Sequence, residues 1–74
     1  MKILITEDEA AIAEIIAYNL SNEGYETATA KDGVECLETF DSWAPDLVLL
    51  DVMMPRMNGF ETLREIRKKS RVPV

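Results

Sequence analysis

The chain has 74 residues, 47% hydrophobic and 30% charged, which is the balance of one small folded domain and not of a disordered segment. Eight Lys and Arg against fourteen Asp and Glu leave a net charge of −6. That balance argues against nucleic acid or an anionic membrane surface as partner and suits a cation or a basic protein instead. There is no His and only one Cys, which excludes imidazole catalysis, His-based metal sites and an internal disulfide.

Lys2 to Thr6 is a short apolar and β-branched run that meets the acids Glu7-Asp8-Glu9, and reads as a first strand ending at an acidic loop. From Ala10 to Asn22, Ile12, Ile15, Ile16 and Leu20 recur at helical spacing, and Gly24 supplies the stop. Tyr25 to Ala30 suits a second strand near an edge, and Lys31-Asp32-Gly33 a turn. Val34, Leu37 and Phe40 predict a second helix to about Ser42, closed by Trp43 and Pro45. Cys36 lies within it and is expected to be a small buried hydrophobe. Leu47-Val48-Leu49-Leu50, bounded by Asp46 and Asp51, is apolar on both faces, as a central parallel strand covered by helices would be.

A loop with Pro55 and Asn58-Gly59 follows. Phe60, Leu63 and Ile66 then predict the inner stripe of a third helix. Glu61/Arg64 and Glu65/Lys69 are expected to pair on its outer face. Val72-Pro73-Val74 turns extended, because a residue before proline avoids the helical region, and looks like the start of a fourth strand. The pattern is α/β: three parallel strands and three helices.

Ligands of open α/β sheets gather at the carboxyl ends of the strands. Glu7 and Asp8 follow the first strand there and Asp51 the third, so the acids converge if those strands are neighbours. Crowded like charges raise one another's pKa values, a conflict that a divalent cation resolves. An oxygen-only ligand set points to Mg²⁺. The plainer alternative is that Asp8 caps the first helix while Glu7 and Glu9 favour its positive end.

Ile3-Leu4-Ile5-Thr6-Glu7-Asp8-Glu9, followed by Asp51-Val52-Met53-Met54-Pro55-Arg56-Met57-Asn58-Gly59 with its D-x3-P-x3-G spacing, closely resembles the receiver family of bacterial two-component response regulators. The segment also resembles receivers of winged-helix transcription factors. The resemblance implies a flavodoxin-like fold with strand order 2-1-3, whose switch point lies between the first and third strands. It implies a phosphoryl group accepted on Asp51 from a sensor histidine kinase. Mg²⁺ would be held by Asp8, Asp51 and the Met53 carbonyl, and through water by Glu7. A carboxylate nucleophile and a transferred phosphoryl group that needs positive charge suit that chemistry.

A full receiver continues through a fourth strand with Ser or Thr and a fifth with Lys. Residues 1–74 are therefore expected to form an incomplete receiver, impaired in switching and self-associating as a two-fold homodimer through the unpaired third strand. The expected function is signalling and not enzymatic. An aspartate-nucleophile phosphohydrolase would carry a second acid where Met53 stands, and no nucleotide-binding glycine motif occurs. No apolar run approaches the ~18 residues of a membrane span, and the reducing compartment suited to a lone Cys makes the expected location cytoplasmic.

Overall fold

Parallel strands need crossovers, and the alternation of short apolar runs with amphipathic segments provides them. The computed structural model describes all of residues 1–74. It contains β1 (Lys2–Thr6), α1 (Ala10–Asn22), β2 (Glu26–Ala30), α2 (Gly33–Trp43), β3 (Leu47–Leu50) and α3 (Gly59–Arg67). The sheet order is β2-β1-β3, with every pairing parallel. Thr6 lies level with Ala30 on one side and Leu50 on the other, so all three strands end at the same height.

Alternation along the strands divides the interior in two. Leu4 and Val48 pack with Ala30, Cys36, Phe40 and Ile66 beneath α2 and α3. Ile3 and Ile5 point to the opposite face, where Ala13 of α1 is buried. Cys36 is fully buried, and that burial pushes its thiol pKa up, so it behaves as a core hydrophobe.

Several expectations need correction. β3 is not covered on both faces: Val48 is buried but Leu49 is 39% exposed, because α1 lies over β1 and β2. The tail runs beside β3, with the Val48 amide donating to the Pro73 carbonyl (2.9 Å), but that single bond does not extend into a fourth strand. Helix α3 presents Gly59, Thr62 and Ile66 inward, with Leu63 half-buried and Phe60 65% exposed. Its anticipated surface pairs are also replaced. Glu61 closes a capping box with Asn58, Glu65 pairs with Lys68 (2.9 Å), and Lys69 reaches Asp41 of α2 (2.6 Å). Finally, Trp43 belongs to α2, which ends at Ala44 in the left-handed region (φ 52°).

Candidate functional site

The backbone ladder continues one step past the strands. The Glu7 amide donates to the Ala30 carbonyl (3.0 Å) and the Asp51 amide to the Thr6 carbonyl (3.1 Å). The two acids are thus fixed side by side above β1 and β3. Carboxylate oxygens of Glu7, Asp8 and Asp51 all lie within 4.8 Å of one another, Glu7 and Asp51 half-buried and Asp8 exposed. The N-cap of α1 falls on Glu9, whose side chain makes no cap hydrogen bond. Asp8 is therefore not consumed in capping, and the plainer alternative loses its main support.

Glu7 records the crowding. Its pKa is raised, first by desolvation and further by the charges of Asp51 and Asp8, against a lowering by the Glu9 backbone amide, which donates to Glu7 Oε1 (3.2 Å). The cluster fits a hard divalent cation: its donors are all oxygen, its net charge is negative, and its repulsion is what a bound cation would relieve. Met53 contributes through its backbone, its amide donating to Asp51 Oδ1 (3.3 Å) while its side chain is 80% exposed.

The D-x3-P-x3-G spacing has a geometric cause. The Gly59 amide donates to the Val52 carbonyl (2.9 Å). A Cβ on Gly59 would lie 2.5 Å from the Asp51 carbonyl oxygen and 2.8 Å from Val52 Cα. Only glycine lets α3 begin against the backbone of Asp51.

Sequence reasoning missed Asp32 and Arg56. Asp32 reads as a turn residue, yet it is the N-cap of α2 and its side chain is 3% exposed, paired with Arg56 across the sheet top (3.3 Å). The Asp32-x-x-Glu35 spacing is a helix-start signal that could have marked the cap. Nothing local could have announced the distant pair.

A parallel α/β sheet with acids crowded at the carboxyl ends of its strands and a glycine-clamped aspartate defines an open doubly wound α/β domain with a candidate cation site at its switch point. Residues 3–74 match the response regulator receiver domain family, and the chain belongs to that family. It is 50% identical over 74 residues to response regulator RR06 of Streptococcus pneumoniae, covering all of this chain and 34% of that protein. It is 48% identical over 73 residues to the probable transcriptional regulator ycf27 of Guillardia theta, covering 99% and 29%.

Among solved structures it is similar to response regulator TrrA of Thermotoga maritima in complex with Mg²⁺ and BeF (TM-score 0.90, 46% identity, 95% of this chain and 61% of that one). It is also similar to the N-terminal domain of a response regulator receiver protein of Methanoculleus marisnigri (TM-score 0.90, 41% identity, 96% and 58%). The chain spans about a third of the length of these curated relatives. No helix is long and apolar enough to cross a membrane.

Proposed function

We propose that the chain is a phosphoacceptor module, in which Asp51 takes a phosphoryl group from a sensor histidine kinase in the presence of Mg²⁺. The observation that carries this reading is the meeting of Glu7, Asp8 and Asp51 within 4.8 Å at the ends of two adjacent parallel strands. Met53 N–H holds Asp51 Oδ1, which orients the carboxylate and leaves Oδ2 to attack phosphorus. An O–P bond forms as the bond from phosphorus to the donor's leaving atom breaks, giving an acyl phosphate. Glu7, Asp8, Asp51 and the Met53 carbonyl would hold Mg²⁺, which when bound supplies the positive charge that offsets repulsion between nucleophile and donor. The apolar Met53 side chain offers no group to orient an attacking water, which supports a signalling receiver over a phosphohydrolase.

By analogy with relatives named as transcriptional regulators, the receiver controls an output domain of the winged-helix type in the cytoplasm, beside its kinase. The −6 charge supports leaving nucleic acid to that other domain. For residues 1–74 alone we also propose a two-fold homodimer. Exposed Leu49, Ile15 and Tyr18 (39%, 62% and 70%) favour it, since apolar surface left in water forgoes burial free energy. Sedimentation over a range of concentrations tests this, and a monomer throughout would oppose it.

The cation site is tested by Mg²⁺ titration followed through the backbone amides of residues 51–59. Trp43 is the wrong reporter: its carbonyl accepts from Lys2 Nζ (3.2 Å) at the opposite end of the sheet. Saturable shifts are expected in the wild type and are expected to be lost in Asp8→Asn combined with Asp51→Asn. Unchanged shifts in that double variant would remove the site.

A further inference from the structure

The loop that carries Asp51 is held at a second point, away from the acids. Asp32 is a carboxylate with almost no access to water, its side chain 3% exposed. One oxygen, Oδ1, accepts from the Glu35 amide (2.8 Å) as the cap of α2. The other, Oδ2, faces Arg56 Nε at 3.3 Å. A buried carboxylate needs both partners, because a charge withdrawn from water without compensation is strongly disfavoured. The pair therefore differs from an ordinary surface ion pair, even though Arg56 itself is 56% exposed.

Arg56 reaches Asp32 from a conformation that side chains avoid, with φ at 68°. A non-glycine residue is held in the left-handed region only where its surroundings over-determine it. Here the surroundings are tight. A Cβ on Gly33 would strike Thr62 Oγ1 and lie 2.7 Å from the Met57 carbonyl oxygen. Thr62 Oγ1 in turn donates to the Asn58 carbonyl (2.9 Å), and Gly59 abuts Asp51. A continuous set of contacts thus runs from the start of α2, through residues 56–59, to the backbone of Asp51.

We infer that the Arg56–Asp32 ion pair is a clasp between the α2 N-terminus and the 51–59 loop, making Arg56 a positioning residue for the carboxylate site although it touches none of its acids. The inference rests on the reading of Asp51 as phosphoacceptor and cation ligand, and names the side chain that holds that site's loop in place. Glu7 and Asp51 are tied to the strands through their amides, whereas Met53, whose N–H holds the Asp51 carboxylate, depends on the loop. Loosening the loop therefore shifts the Met53 carbonyl and frees the Asp51 carboxylate to turn away from the other acids.

Two single variants and their combination test it on the 74-residue chain. Arg56→Gly removes the guanidinium and suits the left-handed backbone, and the Asp32 variants remove the buried charge that it leaves unpaired, so a cost to folding from that charge is told apart from the loss of the clasp. Asp32→Asn keeps a good helix cap but deletes the charge. Hydrogen exchange at the Gly59 and Glu61 amides reads the loop directly, without any cation. Titration with Mg²⁺ alone, read from the amides of residues 51–59, reads the site. Each single variant is expected to speed exchange and weaken Mg²⁺ binding by roughly three- to tenfold, within the range for residues that act on a site through intervening contacts. The combined variant should be no worse than either alone, as expected of partners in one interaction.

Unchanged exchange in Arg56→Gly overturns the clasp. Faster exchange with unaltered Mg²⁺ affinity reduces the pair to a structural contact and overturns the positioning role. Asp51→Asn, run alongside, separates the two ideas. If it leaves Mg²⁺ binding intact the proposed site fails, and the clasp stands or falls on the exchange rates.

Discussion

Gly59 is packed against Asp51 so closely that a methyl group on Gly59 would lie 2.5 Å from the Asp51 carbonyl oxygen. Backbone cannot yield there cheaply, since Asp51 is also tied to Thr6 through its amide (3.1 Å). Gly59→Ala is accordingly expected to cost about 1–3 kcal/mol or more, the range for forcing extra carbon into a filled space. Urea unfolding measures it, and a variant as stable as the wild type would show that α3 shifts freely relative to Asp51.

Glu7 gives the chain a pH dependence whose sign can be worked out. Its folded pKa is raised above the ordinary 4.5 by desolvation first and by Asp51 and Asp8 next. A raised folded pKa means that the folded state binds the proton more tightly. Its contribution is then fully present below pH 4.5 and is lost as pH rises through the folded value. In metal-free buffer Glu7→Gln should therefore unfold at higher urea than the wild type near neutral pH, with the gap closing below pH 4.5. A gap that persists or widens in acid would show that neither desolvation of the charged Glu7 carboxylate nor its repulsion by Asp51 and Asp8 is its source.

The Thr6 hydroxyl, at the end of the central strand and 2% exposed, makes no full hydrogen bond and has only the Cys36 thiol, a weak partner, acting on it. An unpaired buried hydroxyl costs about 1–3 kcal/mol. Val matches the shape without the polar atom, so Thr6→Val is expected to be neutral or to gain up to ~1 kcal/mol. A loss of that size in urea unfolding would mean that the hydroxyl has a partner in solution.

How much of this was legible in the sequence follows from the range of each interaction. The bounds of β1, α1 and β3 were readable because apolar periodicity and Gly24 are local signals, and the order β2-β1-β3 followed from the family resemblance. The meeting of Glu7, Asp8 and Asp51 could be anticipated once neighbouring parallel strands were assumed to end together. The phase of α3 could not. Periodicity alone put Phe60 in the inner stripe, but the seating of Gly59 on Asp51 turns the helix so that Thr62 and Ile66 are buried and Phe60 is not. Glu61 likewise had a plausible partner in Arg64, and only the helix start at Asn58 reveals it as a cap. The Asp32–Arg56 pair joins residues that meet only in the folded chain.

The central claim is that Asp51 accepts a phosphoryl group at a carboxylate cluster that requires Mg²⁺. Intact mass after incubation with a small-molecule phosphodonor tests it most directly, in the wild type and Asp51→Asn, each with Mg²⁺ and with a chelator. No Lys or Arg is ion-paired with Glu7, Asp8 or Asp51, so no cationic side chain there would hold a product in place. The adduct is therefore expected to be partial and short-lived. The wild type with Mg²⁺ is expected to gain the mass of one phosphoryl group, to gain none with chelator, and Asp51→Asn to gain none under either condition. The same adduct on Asp51→Asn, or a wild type that gains no mass with Mg²⁺ at any time, would contradict it.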